Sequence, residues 1–366
     1  MVEFQMAKRK GSSLSRKVYK PNKGFQLYLL PYVYPNISSL VLTFDCEGKY
    51  GGGSTIEGET VIIPKILEQF KKLNYCGTFN FVGRTASENM NIVKKINSSG
   101  NDVWGHGLTH KYLDTDEEWD DEEVTDTIRI ISDLIGDRCI GWRSPYGTFN
   151  ERLYNLLLKQ GVKYGSNWGN STWGNMPFFP FIEEKKINIC ELPFDDVHFD
   201  AMIFRKIGLN SDVALDLYKS KLVASINNFS IFTPLIHPVN LAEDTTRFNM
   251  FSKFLSYSSR FNELWVTSCS KLLYNFSLLE NVKIQSLNFN HKQNRIYFEI
   301  TIINNNTLKK DLLPLSLAFK LDEKVKNITC SSKYAAIDLT PLETVICLPI
   351  DLSLPRNHIE LELVLR

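Results

Sequence analysis

Between residues 38 and about 272 the chain alternates between short β-branched or aromatic runs and longer stretches with apolar residues three and four apart. Strand-like runs fall at 38–45, 76–83, 102–107, 139–145, 162–168, 187–194, 230–238 and 264–269. Helix-like stretches fall at 59–74, 87–100, 116–136, 150–161, 211–229 and 245–261. This alternation constrains topology more than any other feature. Strands joined through helices run parallel, so the outcome is a closed barrel or an open sheet with helices packed outside it. In either form the C-terminal ends of the strands share one mouth, and reactive side chains placed there meet.

The texture changes after about residue 278. Segments such as "RIYFEITIINN" and "TVICLPIDL" alternate apolar and polar residues with no long helical stretch. That pattern predicts a small all-β region over 280–366, a sandwich in form. Residues 1–35 are basic and then rich in proline and tyrosine, which predicts a flexible lead-in and an irregular segment packed on the main domain, 36–275.

Composition excludes several classes. A net charge of +1 offers no global reason for nucleic-acid binding. No stretch reaches the ~18 consecutive apolar residues of a spanning helix, and the basic N-terminus has no apolar run of the secretory kind. A cytoplasmic location is therefore expected. The seven cysteines (46, 76, 139, 190, 269, 330 and 347) are scattered without a C-x-x-C pair, which fits reduced, mostly buried thiols.

Four strand ends carry the residues that can do chemistry. "LVLTFDCEGKYGGG" (40–53) ends an apolar strand in Asp45 and Glu47, then in glycines that let a loop lie against a ligand. Alternation along the strand turns both carboxylates to one face and Cys46 to the other. "GHGLTH" places His106 and His110 four apart, so that over one helical turn both face one ion. "GWRSPYG" carries Arg143, and "PLIHP" carries His237. Two imidazoles and a carboxylate suit Zn²⁺, with Co, Ni, Mn or Fe as alternatives, and leave coordination positions open. An ion so held lowers the pKa of water to about 7. A second carboxylate can take the water's proton, and Arg143 can orient that carboxylate through a bidentate pair.

The order of these motifs resembles the polysaccharide deacetylase family, the NodB-homology or carbohydrate esterase 4 group, over about residues 38–270. The first motif of the family, T-F-D-D-G, corresponds to Thr43-Phe44-Asp45-Cys46-Glu47-Gly48. The second, H-x-x-x-H, corresponds to His106–His110 with Thr109 before the second histidine. The third, R-x-P-Y-G, is Arg143-Ser144-Pro145-Tyr146-Gly147, and the last, L-x-H, is Leu235-Ile236-His237. The resemblance implies a distorted (β/α)7–8 barrel followed by the all-β region. It implies Asp45 as base, Glu47, His106 and His110 as metal ligands, and His237 as the acid that protonates the leaving amine. Cys46 stands where the family usually has its metal-binding aspartate. The reverse assignment of Asp45 and Glu47, and Cys46 as a soft ligand, therefore stay open. In "ELPFDDVHFD" (191–200), Asp195 or Asp196 is the candidate to hold His237 or Arg143, and His198 has a loop role as good as a site role. Tyr146, Leu235 and Trp168, with Trp173 as an alternative to the last, are candidates for contacting substrate.

The expected activity is metal-dependent hydrolysis of an amide on an N-acylated sugar, acetyl first among acyl groups. Without an export signal, a lipid- or nucleotide-linked precursor is the expected carbohydrate substrate. A deformylase or cyclic-amide hydrolase on the same scaffold is one alternative, and a non-catalytic glycan-binding protein is another. The acid run "DTDEEWDDEE" (114–123) reads as a solvated helix start, and the β region as a candidate surface for self-association.

Overall fold

The computed structural model describes residues 17–19, 25–51, 57–113, 120–169, 176–182, 184–292, 295–304, 312–321, 325–338 and 344–365. Trp173 and residues 114–119 of the acid run lie outside them. Among the described residues no helix is long and apolar enough to cross a membrane.

The alternating segments form a curled sheet of seven strands. Its order is Cys190–Glu191, Tyr164–Gly165, Gly141–Trp142, Asp102–Gly105, Thr78–Phe81, Thr43–Cys46 and Leu235–Ile236, and every neighbouring pair is parallel. The first predicted strand breaks at Leu42. Its earlier half, Ser38–Val41, lies between Ile231–Phe232 and Leu264–Thr267 in a three-stranded parallel sheet. Pro234, which has no N–H for the ladder, falls between the two short strands 231–232 and 235–236. The two ends of the curl meet where the Asp195 N–H donates to the Thr233 carbonyl at 2.9 Å.

Period-2 alternation divides the sheet into two chemistries. Phe44 and Cys46 point outward into the helix layer, where Phe44 stacks on Phe79 at 4.6 Å and meets Phe70 and Phe251 from flanking helices. Thr43, Asp45, Thr78 and Asn80, all buried, occupy the alternate positions. The apolar core thus lies between sheet and helices, and polar groups line the inside of the curl. The predicted helix 59–74 begins as a π-type turn at Gly58–Ile62 and continues as an α-helix over Ile63–Leu73, with Pro64 in the first turn, where a missing N–H costs nothing.

Two antiparallel sheets stand beside the curl. One runs Val282–Lys292, Arg295–Asn304, Arg356–Leu365, Val325–Cys330; the other runs Lys17–Tyr19, Phe25–Val33, Leu315–Leu321, Thr344–Ile350, Ala335–Asp338. Alternate residues of both sheets, including Phe298, Ile300, Leu317, Phe319, Ile346 and Leu361, share a second apolar core. The segment expected as an irregular lead-in is here a nine-residue strand, Phe25–Val33, paired along Leu315–Leu321. Leu27 and Leu29 enter the second core, and Tyr28, Leu30 and Tyr32 enter the first. A strand buried on both faces has no polar alternation, so its pattern does not announce a strand.

Candidate active site

Asp45, Glu47, His106, His110, Arg143 and His237 all line one cavity of about 350 Å³ at the C-terminal mouth of the curl. Leu235 and Tyr146 line it too. They come from the ends of four strands or the loops after them, Asp45 and Glu47 from one, His106 and His110 from a second, Arg143 and Tyr146 from a third and Leu235 and His237 from a fourth, as parallel topology requires.

The Asp45 carboxylate is 4% exposed. Its Oδ1 accepts from Arg143 Nη1 at 2.9 Å and from Asn80 Nδ2 at 2.7 Å. Burial opposes its ionisation, but the pull of Arg143, His106 and His237 together outweighs burial and holds its pKa below the usual range. Arg143 is 1% exposed. Besides Asp45 it donates to Thr43 Oγ1 at 3.0 Å, to Ser166 Oγ at 2.7 Å and to the Ser166 carbonyl at 3.1 Å. The contact with Asp45 is therefore single, not the bidentate fork expected: three of the four bonds tie the guanidinium to neutral groups, Thr43 across the curl and Ser166 just past the adjoining strand.

Glu47 Oε1 is surrounded by imidazoles, with Nε2 of His110 at 3.0 Å, of His237 at 3.4 Å and of His106 at 3.5 Å. Burial again opposes charge, yet the charge of His237 and the closeness of all three imidazoles push its pKa well below normal. Gly51 after it has a steric reason. A Cβ on Gly51 would lie 1.5 Å from Glu47 Oε2, so only bare backbone fits against that carboxylate.

The histidine pair meets by a route other than the one its spacing suggests. His106 follows the strand Asp102–Gly105 directly, and residues 107–110 form a loop rather than a helical turn, with Gly107 at φ +76° and His110 at φ +65°. The loop is held by Glu123, a buried carboxylate in the first turn of the helix Glu122–Ile135. Glu123 Oε2 accepts from the N–H groups of Leu108 at 2.8 Å and Thr109 at 2.9 Å, and Oε1 accepts from the Thr109 hydroxyl. One member of the supposed solvated acid run is thus an internal brace. Its only sequence signal is a second glutamate at a helix start a dozen residues past a histidine motif. Glu123→Ala leaves buried N–H groups unmatched and is expected to cost about 2–3 kcal/mol, read as a lower midpoint in a urea titration.

The donor set fits a divalent ion. One ligand atom each from Glu47, His106 and His110 lies within 4.8 Å of the others, and a second set, Asp45, Glu47 and His237, shares Glu47. His106 Nδ1 lies 2.8 Å from the Arg143 carbonyl, which makes it the donor and leaves Nε2 as a lone pair facing the cavity. The buried His106 Nε2 and both ring nitrogens of His110 have no hydrogen-bond partner, as expected of groups that a metal would satisfy.

The group that holds His237 is Asp200. Its Oδ2 accepts from the His237 N–H at 2.7 Å, and its Oδ1 lies 2.6 Å from His237 Nδ1. Burial works against a charged imidazole, but Asp200 and Glu47 raise the His237 pKa well above its ordinary value. The expectation for Asp195 and Asp196 is corrected accordingly. Asp195, fully buried, accepts from the His198 N–H and ring and pairs with Lys221 at 3.0 Å, fixing the turn that leads to Asp200. Asp196 packs beside Gly169. Neither contacts His237 or Arg143, because the 194–200 turn carries its later carboxylate, five residues on, to the site. Trp168 stays out of the cavity lining. Its ring stacks on Phe149 at 4.2 Å and its Nε1 donates to the Tyr154 hydroxyl at 2.9 Å. Asn167 donates its N–H and Nδ2 to Glu191, whose carboxyl pKa burial pushes up to about 7, and its Oδ1 accepts from the Ser144 N–H, bracing the residue after Arg143.

Residues 34–165 match the family model described as polysaccharide deacetylase. A peptidoglycan deacetylase of Helicobacter pylori is 29% identical over 126 residues, 32% of this chain and 43% of that protein. A peptidoglycan-N-acetylglucosamine deacetylase of Bacillus cereus is 31% identical over 126 residues, 34% of this chain and 42% of that protein. The match thus spans less than half the length of these curated relatives. The solved structure of a candidate polysaccharide deacetylase from Mycobacterium smegmatis shares the fold, with a TM-score of 0.60 at 21% identity over 69% of this chain and 94% of that one. Its motifs stand at the strand ends of that fold, and residues 34–165 carry the match to the polysaccharide deacetylase family, the NodB-homology or carbohydrate esterase 4 group.

Proposed function

We propose that the protein hydrolyses the amide of an N-acylated sugar in a glycan, releasing the acyl group, acetyl in the first instance. One observation carries this reading: a Glu-His-His donor set with unpartnered, cavity-facing nitrogens lies between a buried ionised aspartate and a charged histidine. A divalent ion, Zn²⁺ foremost, held by Glu47, His106 and His110 would polarise the amide carbonyl and make hydroxide available near neutral pH.

The chain's own residues supply the rest. Asp45, kept ionised and oriented by Arg143 and Asn80, takes a proton from the attacking water. His237 presents Nε2 to the cavity while Asp200 holds Nδ1, so the proton it gives to the departing amine comes from a fixed direction. Leu235, 6% exposed at the cavity wall, suits contact with an acyl methyl. The names of the two relatives favour an N-acetylated wall-type glycan over the precursor that the sequence alone suggests.

The test is acetate release from an N-acetylated chito-oligosaccharide by protein whose metal has been stripped and then restored. Release is expected to fall by about tenfold or more on stripping and to return with Zn²⁺. Undiminished release from protein verified free of metal would sink the reading.

A further inference from the structure

We infer that Arg205 binds a carboxylate carried by the sugar whose amide is cut, so that the preferred substrate is an acidic N-acylated sugar; this rests on the glycan reading above and narrows its substrate class.

Among the described residues, Arg205 is the one charged side chain in the cavity lining that the reaction as proposed does not use. Asp45, Glu47, Arg143 and the three histidines belong to the donor set and the groups that assist it. Phe194, Phe199, Ala201 and Val239 make most of the remaining lining apolar. A guanidinium stays charged at every pH the protein meets, so on such a wall an anionic ligand is its natural match.

The backbone brings it there. Asp200, which holds His237, also caps the helix Ala201–Ile207, its Oδ1 accepting from the Ala201 N–H at 2.7 Å. The helix is of the π type, and Ala201 and Arg205 both line the cavity. Gly208 ends it at φ +77°, and the Leu209 N–H donates to the Ile203 carbonyl at 2.9 Å. Ile203 and Phe204, both buried, anchor it in the main core. One short helix thus starts at the group that orients His237 and carries a cation to the wall of the same cavity, which fixes the spacing of the two.

Glu243 sets the direction of the guanidinium. Its Oε1 accepts from Arg205 Nη2 at 2.6 Å and its Oε2 from Arg247 Nη1 at 2.8 Å. Arg247 is held in turn by the Asn240 carbonyl at 3.1 Å and by the Phe204 ring, 4.8 Å away. Glu243 itself stands outside the cavity lining. The Arg205–Glu243 pair is 40% and 41% exposed, where an ion pair contributes little stability, so its consequence is orientation. A guanidinium has five N–H donors and this bond uses one, which leaves a planar edge for a carboxylate in the two-bond geometry. A group oriented in advance spends little of its binding energy on ordering.

A second polar group in the lining points to the same occupant. Asn240 is 1% exposed, and its Oδ1 has no hydrogen-bond partner among the described residues. It stands three residues past His237, with its N–H on the His237 carbonyl at 2.9 Å. A buried acceptor left open is costly until a donor meets it, and a sugar hydroxyl is such a donor. A hydroxyl for Asn240 and a carboxylate for Arg205 are the two groups of a sugar acid. A neutral N-acetyl sugar leaves Arg205 unmatched.

The test is isothermal titration calorimetry of the zinc-loaded full chain at low salt with N-acetylglucosamine, its C6-oxidised uronic acid and its 3-O-lactyl ether. The two acids place the carboxylate at different corners of the ring, so they also show which position Arg205 reads. At least one acid is expected to bind about fivefold more tightly than the neutral sugar, and the preference to shrink as salt is added. Arg205→Gln is expected to abolish the preference and Arg205→Lys to retain part of it. Arg295→Gln, which removes an exposed charge in the β region, is expected to leave it unchanged. Thermal unfolding of each variant guards against loss of fold. Equal affinity for all three sugars, tighter binding of the neutral one, no binding at all, or full preference in folded Arg205→Gln overturns the inference. Acetate release is measured separately. A protein that prefers an acid through Arg205 and releases no acetate keeps the carboxylate site and loses the hydrolase reading. One that releases acetate and binds all three sugars equally does the reverse.

Discussion

Asp45→Asn is expected to lower acyl release by about 10³-fold, the usual worth of a positioned general base. Asparagine keeps the shape of the side chain and an oxygen that Arg143 and Asn80 can reach, so the polar network inside the curl is largely retained. It has no basic oxygen at neutral pH. Because Glu47, His106 and His110 are untouched, metal content, measured in parallel by elemental analysis, should match the wild type. The loss should therefore fall on kcat, with KM little changed. Activity within tenfold of wild type would remove Asp45 from the role of base. It would favour the reverse assignment, in which Glu47 takes the proton and Asp45 joins the ion. A purely glycan-binding protein would show no acyl release before or after the change.

Arg143→Leu is expected to destabilise the fold by about 3–5 kcal/mol, the cost of removing one partner from a buried ion pair. The guanidinium is 1% exposed and makes four hydrogen bonds, to Asp45, Thr43 and twice to Ser166. Leucine fills part of the volume but leaves an anionic carboxylate, two hydroxyls and a carbonyl short of partners. For a chain of this size the loss corresponds to a fall in melting temperature of about 5 °C. Arg143→Lys should recover little of it, since a lysine ammonium cannot reproduce a planar donor set that bridges three strands. A urea midpoint unchanged in Arg143→Leu would show that the network contributes nothing net.

How much of this was legible beforehand depends on whether the signal was local. Asp45, Glu47, His106, His110, Arg143 and His237 could be placed together because each follows an apolar run, and parallel strands bring such positions to one mouth. The braces were not legible. Asn80 could have been suspected as a polar residue alternating with phenylalanines in "TFNF", but nothing in its neighbourhood names Asp45 as the partner. Glu123 looks like any acid at a helix start. Nothing local separates Asp200 from Asp195 and Asp196, and only the path of the turn, fixed by Asp195 itself, shows which carboxylate arrives. The strand Phe25–Val33 was missed because both of its faces are buried.

The order of residues by itself determined the alternation of strand and helix, the face to which each strand side chain points and the strand ends that carry reactive groups. These follow from steric and hydrophobic preferences acting over a few neighbouring residues. Only the tertiary structure decided which carboxylate holds His237, that the histidine pair meets across a left-handed loop, and that the N-terminal strand joins the second sheet. Those choices are made between groups from 15 to more than 280 residues apart, where a hydrogen bond or a packed ring depends on how the sheet curls and not on what stands next in the chain.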